Sequence, residues 1–188
     1  MGKLALRGLV LTAVIALLGI GSYALAGGGS KHFNGDPLIG YQENPDVSTV
    51  ATGSFNAELS KDGKAIHYVL TYSGLEGAVT QSHVHFGKTA VNGGISFWLC
   101  QTPGTAAPVA VAALTPMCPT PGGTVEDDIT AAEVIGPAVQ GIEAGNLAEI
   151  LAAMRAGHAY ANVHSTKWLG GEIRAQISNK HSDEGDDD

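Results

Sequence analysis

Residues 53–73 constrain the fold of this 188-residue chain more than any other stretch. Gly53-Ser54-Phe55-Asn56-Ala57-Glu58-Leu59 alternates apolar and polar positions, the period of a half-buried strand. Lys61-Asp62-Gly63-Lys64 then interrupts the pattern, and its Asp-Gly pair favours a tight hairpin turn. From Ala65 to Ser73 the alternation resumes, with Ile66, Tyr68, Leu70 and Tyr72 on one face. His67, Val69 and Thr71 fall on the other.

The remainder reads as short strands divided by glycine and proline. Strands are predicted at about 79–86, 95–99, 158–164 and 171–178, with a glycine turn at Asn92-Gly93-Gly94. Two helical pieces interrupt them. Thr130-Ala131-Ala132-Glu133 has capping-box spacing and predicts a short turn. Asn146 caps a predicted helix running to about Ala156, with Leu147, Ile150, Leu151 and Met154 as its apolar face and Gly157 as its stop. No internal repeat and no second core is visible. Many short strands, few aromatics and one late helix predict an all-β, antiparallel sandwich or flattened barrel, the helix covering an end or an open edge.

The first residues have the organisation of an export signal. Lys3 and Arg7 precede an apolar run from Gly8 to Ile20, and Ala24-Leu25-Ala26 is a small-residue cleavage site. An uncleaved anchor is the alternative, but the run falls short of the roughly 20 residues a bilayer span needs. Cleavage leaves one ordinary domain, 27–180, ahead of an acidic, solvated tail at 181–188, with no membrane attachment. Losing Lys3 and Arg7 moves the formal charge from −8 to −10. An acidic domain without a basic patch argues against nucleic acid as a partner. The expected location is secreted or periplasmic. In such an oxidising compartment Cys100 and Cys118 predict a disulfide, since no CxxC-type spacing suggests a thiolate metal site.

Chemistry concentrates at Ser82-His83-Val84-His85-Phe86-Gly87. In a strand, residues i and i+2 share a face, so His83 and His85 stand side by side while Val84 points to the core. His164, from a neighbouring strand, completes a candidate imidazole cluster for a transition metal. Tyr160 and Asn162 share the face of His164 and would flank the metal position. Glu172 and Arg174 also share a face. A carboxylate there would fix an imidazole tautomer, and Arg174 would pair with Glu172 or attract an anion to an open coordination position.

These residues also carry a resemblance. Glu43-Asn44-Pro45, Thr52-Gly53, Ser73-Gly74-Leu75, Ser82-His83-Val84-His85, Asn92-Gly93, Cys100 and Cys118-Pro119 lie in the order seen in the chordin-type (CHRD) domain family. So do Ala156-Gly157-His158-Ala159-Tyr160-Ala161-Asn162-Val163-His164 and Gly171-Glu172-Ile173-Arg174, and the resemblance spans about residues 32–178. Departures are Ala175, where the family commonly has glycine, and Phe86-Gly87-Lys88 after His85. The resemblance implies an exported immunoglobulin-like or superoxide-dismutase-like β-sandwich. Separately, His83-Val84-His85-Phe86-Gly87 resembles the copper-ligand strand of copper/zinc superoxide dismutases, with no matching zinc cluster in the loop after His85.

The leading expectation is an exported CHRD-type domain that binds one metal ion through His83, His85 and His164. Copper is preferred to zinc because it binds imidazole sites more tightly in the divalent series. The alternatives are an extracellular interaction or matrix module, with a protein partner and a purely structural histidine network, and a monocopper dismutase. Whether any reaction is catalysed is left open. His67 is read as a surface residue before a fourth ligand, Met117 as loop packing before a soft copper ligand, His158 as exposed, and His32 and His181 as terminal residues without specific chemistry. No hydrolase nucleophile or phosphate-binding loop is present.

Overall fold

The β2–β3 hairpin sets the frame of the structure, a computed structural model that describes residues 30–179. The expected export segment and the acidic tail with His181 lie outside the described residues. β2 (Thr52–Leu59) and β3 (Ala65–Ser73) pair antiparallel in unbroken register from Thr52 opposite Ser73 to Leu59 opposite Ile66. The turn is held by Ser60, whose Oγ accepts from the Lys64 and Ala65 amides, and by Gly63 at φ +73°. That φ is left-handed, where glycine carries no steric cost. Ile66, Tyr68, Leu70 and Tyr72 are fully buried as the alternation predicts. Each such aliphatic side chain contributes about 1.5–3 kcal/mol of transfer free energy.

Seven further strands extend the hairpin on both sides: β1 (His32–Ile39), β4 (Val79–Phe86), β5 (Gly94–Cys100), β6 (Gly123–Thr130), β7 (Ala159–Ser165), β8 (Ile173–Gln176) and β9 (Ser178–Asn179). Hydrogen-bonded neighbours run β5-β4-β7-β8-β1-β2-β3-β6, and β9 pairs with β1. All pairings between these strands are antiparallel, and the sheet curls on itself as a nearly closed barrel or sandwich. The Tyr68 hydroxyl on β3 donates to the Leu99 carbonyl on β5, tying the first strand of the order to the one next to its last. Among the described residues no helix is long and apolar enough to cross a membrane.

Two strands are not evident in the alternation. β1 contains Asp36-Pro37, and its register against β2 shifts between Gly35 and Leu38. Proline offers no ladder N–H, so it sits at the irregularity and breaks the period. β6 carries Glu126-Asp127-Asp128, a poor strand composition, and buries only Val125 and Ile129 deeply. It ends the strand order, where charged side chains discourage edge-to-edge association.

The helix α1 (Leu147–Arg155) begins where expected. The Asn146 side chain accepts from the Glu149 amide at 3.3 Å, and Gly157 turns the chain out at φ +69°. Leu147, Ile150, Leu151 and Met154 pack into the main core. Thr130 and Glu133 form the expected reciprocal cap around a single 3-10 turn at Ala131–Glu133. Cys100 and Cys118 are disulfide-bonded. Beneath the intervening loop Trp98, Ala107 and Val111 form a small satellite cluster, separate from the main core.

Candidate metal centre

β4 is buried on both faces. Val84 lies in the main core, while His83 and His85 point the other way into a polar layer. His83 stands opposite Asn162 and His85 opposite Tyr160 on β7. His164, two residues beyond Asn162, stands opposite Gln81, so the register brings the third imidazole onto the same face diagonally across from His83. Covering segments then close the layer: His83, His85 and His164 are only 1, 8 and 6 % exposed.

The three rings form a compact triangle. Centroids are 5.3 Å apart for His83–His85, 5.0 Å for His83–His164 and 6.5 Å for His85–His164. One nitrogen from each lies within 4.8 Å of the other two. A point then exists no further than about 2.8 Å from all three, against a usual metal–nitrogen distance of about 2.0–2.1 Å. Sub-ångström ring movements close that difference, so this group can hold a metal ion.

Backbone carbonyls orient two of the rings. His85 Nδ1 donates to the Gly93 carbonyl at 2.9 Å, and His164 Nδ1 donates to the Leu169 carbonyl at 2.9 Å. With Nδ1 protonated, each neutral ring carries its lone pair on Nε2. Metal-binding histidines are commonly oriented in this way by a partner on the other nitrogen. Gly93 is required for this approach, because a Cβ there would overlap the Phe86 carbonyl.

Inside the triangle, hydrogen bonding is incomplete. Neither nitrogen of His83 has a partner, nor does His85 Nε2. His164 Nε2 faces only Asn162 Oδ1, at 3.1 Å, so two acceptors oppose one another in that tautomer. Burial lowers the His83 pKa to about 2, with the neighbouring His164 and His85 acting in the same direction. Burial also lowers His85 to about 4, opposed in part by the Gly93 carbonyl, and lowers His164. The imidazoles are therefore neutral near pH 7, the protonation state a metal requires.

The flanking residues divide by role. Tyr160 stacks on His85 with centroids 4.7 Å apart and planes within 1°. The Arg174 guanidinium lies 3.3 Å from the centroid of the same phenol ring. Because β7 runs between β4 and β8, imidazole and guanidinium reach the ring from opposite sides. Arg174 donates to the Lys88 and Val91 carbonyls and to Asn92 Oδ1, and so clamps the loop that carries Gly93. Glu172 neither pairs with Arg174 nor hydrogen-bonds an imidazole. Its Oε1 accepts from Thr49 Oγ1 at 2.8 Å and the Glu76 amide at 2.7 Å. The reason is positional: Glu172 precedes β8, beside the chain around Thr49 and Glu76.

Sequence reasoning assigned no role to Glu43 or Trp98. Glu43 is 6 % exposed, and burial raises its pKa to about 7 against the opposing pull of Arg174 and Asn162. Gly171, at φ +126°, leaves the space its carboxyl group occupies. Trp98 meets the His83 ring edge-on, with centroids 4.2 Å apart, and joins it to the satellite cluster. Glu43 belongs to a Glu-Asn-Pro segment noted only as family resemblance, and Trp98 to an apolar strand. Neither type nor spacing distinguished them.

The other histidines stand apart from this centre. His67 is exposed and bonded through Nδ1 to Asp128 Oδ1 at 3.0 Å; His32 and His158 are exposed. Met117 is 54 % exposed.

No curated protein and no solved structure matches the chain. The sequence model of the CHRD domain family matches residues 36–177, a span from β1 to the end of β8 that contains every residue of the histidine centre. That span covers most of the chain, and the protein belongs to the CHRD domain family.

Proposed function

We propose that this protein is an exported CHRD-domain module that binds one transition-metal ion, copper in preference to zinc, through His83, His85 and His164. One observation carries the reading. Three buried, neutral imidazoles share a face with no hydrogen bond joining any two of them, and two of the rings are oriented by backbone carbonyls. Buried polar atoms are ordinarily satisfied, and each orphan costs about 1–3 kcal/mol. A cation at the centre converts these lone pairs into bonds. The imidazole donor set suits copper, which lies above zinc in the divalent affinity series. A histidine network serving only structure would instead be saturated by its own hydrogen bonds.

Burial favours holding over turnover. A dismutase requires an open coordination position, whereas all three rings are at most 8 % exposed and the Arg174 nitrogens bond loop oxygens. Family membership and the basic-apolar-small pattern at residues 1–26 support export.

The test is copper titration of the purified mature chain, read by metal content and by tryptophan emission, to which Trp98 beside His83 contributes. Stoichiometric copper is expected to quench that emission and to raise Tm, a chelator reversing both, with loss of binding in His83→Ala/His85→Ala. Refusal of both copper and zinc by the folded wild-type protein would overturn the reading.

A further inference from the structure

A row of four side chains crosses the exposed face of the sheet on the opposite flank of the strand order. His32 on β1 stands directly opposite Glu58 on β2. Glu58 in turn stands opposite His67 on β3, and His67 opposite Asp128 on β6. All four residues are exposed. Directly paired residues project on the same face with Cβ atoms about 4.5–5.5 Å apart. The row is thus an uninterrupted line of imidazole, carboxylate, imidazole, carboxylate across four adjacent strands. His32, Glu58 and His67, with Asn56 and Val69, also line a shallow concavity of about 220 Å³.

We propose that His32, Glu58 and His67 form a second, surface site for a divalent transition metal of the zinc class, with Asp128 as its positioning residue. The His67–Asp128 contact assigns the roles. Asp128 Oδ1 accepts a hydrogen bond from the Nδ1–H of His67 at 3.0 Å, leaving the Nε2 lone pair free. A carboxylate on the far nitrogen of a ligating histidine fixes its tautomer and raises its basicity. Glu58, between the two imidazoles, completes a two-histidine, one-carboxylate donor set that zinc accepts with a fourth position open to water. Strands lie about 4.8 Å apart, so His32 and His67 are separated by about 10 Å at the backbone, a gap two imidazoles span with a metal between them. The three ligand atoms are not gathered in the structure. Because the side chains are exposed, closure needs rotamer changes only, with no movement of the sheet.

This site shares no residue with the inner histidine triangle, so the two stand or fall separately. The experiment is zinc chloride titration of the mature protein by calorimetry, with His67→Ala, His32→Ala, Asp128→Asn and, as a control, the exposed His158→Ala. The expected result is a zinc-binding class lost in His67→Ala, weakened at least tenfold in His32→Ala and about 10–100-fold in Asp128→Asn, and unchanged in His158→Ala. These surface substitutions leave the buried core intact, which thermal unfolding of each variant verifies. An isotherm unaffected by His67→Ala overturns the site. Loss in His67→Ala without weakening in His32→Ala also overturns it, reducing it to adventitious zinc on one histidine.

Discussion

The imidazole of His85 and the phenol ring of Tyr160 lie parallel within 1°, 4.7 Å apart, across the β4–β7 pair. The contact links a ring of the histidine triangle to the Arg174 clamp, since the guanidinium covers the same phenol from the β8 side. The Tyr160 hydroxyl also accepts from the Gly93 amide at 3.2 Å, and the Gly93 carbonyl orients His85. One tyrosine thus supports His85 both by stacking and through the loop that fixes its tautomer.

Tyr160→Phe should keep the stack and lose only that acceptor, for about 1 kcal/mol of stability and a change in copper affinity below about threefold. Tyr160→Ala should cost about 3–5 kcal/mol and loosen His85 as well. Urea unfolding with parallel copper titration of both variants checks the split. Equal losses of affinity in the two would mean that the hydroxyl, not the ring, positions His85.

The metal-free protein should lose stability as pH falls below about 6.5. His83 and His85 have folded-state pKa values lowered to about 2 and about 4, from an unfolded value of 6.5. Between those limits the unfolded chain binds more protons, so acid favours unfolding. Each such imidazole contributes a slope of about 1.4 kcal/mol per pH unit over its window. Tm should change little on this account from pH 7.5 to about 6.5 and fall from there to pH 4.5, and added copper should move the fall to lower pH.

Glu43 has the opposite sign. Its folded pKa is raised to about 7 from 4.5, so its contribution is complete below pH 4.5 and is lost as pH rises through about 7. Glu43→Gln, which keeps the shape without the charge, should gain stability relative to wild type as pH rises from 4.5 to 7. A wild-type-minus-variant difference that is flat with pH would show that the carboxyl ionises as freely in the fold as in the unfolded chain.

Removing the Cys100–Cys118 bond should cost about 3 kcal/mol, the chain-entropy value for a loop of this size. The bond closes a separation of 18 residues, and both cysteines are buried in the core. The denaturation midpoint of Cys100→Ala/Cys118→Ala, compared with oxidised wild type, measures this. Copper affinity of the folded variant should change little, because neither cysteine faces the histidine layer.

Much of the architecture was legible because local pattern and tertiary role agree. The 53–73 hairpin, the strand at Val79–Phe86, the helix from Leu147 and the Thr130 cap all follow from alternation, helical period and capping chemistry. β1 and β6 escaped for identifiable reasons. Pro37 interrupts one alternation at a register shift, and three consecutive acids mask the other. At the centre, His83 and His85 announced themselves by spacing. Glu43, 119 residues before Asn162 in the chain, carried no local sign of the polar layer it enters.

The sequence by itself determined the all-β class, the family, the disulfide pair and the face shared by His83 and His85, because each depends on residue type or on a spacing of a few residues. The sequence also nominated His164, but only the tertiary structure decided how it meets the other two rings and which further groups surround them. Register across β4, β7 and β8 sets His164 diagonally from His83 and Arg174 against Tyr160. The same packing sends Glu172 to Thr49 and Glu76, away from the imidazoles. The physical reason is that burial and hydrogen-bond satisfaction are properties of closed surroundings. An imidazole becomes a buried lone pair without a donor only after distant strands and loops have excluded water from it.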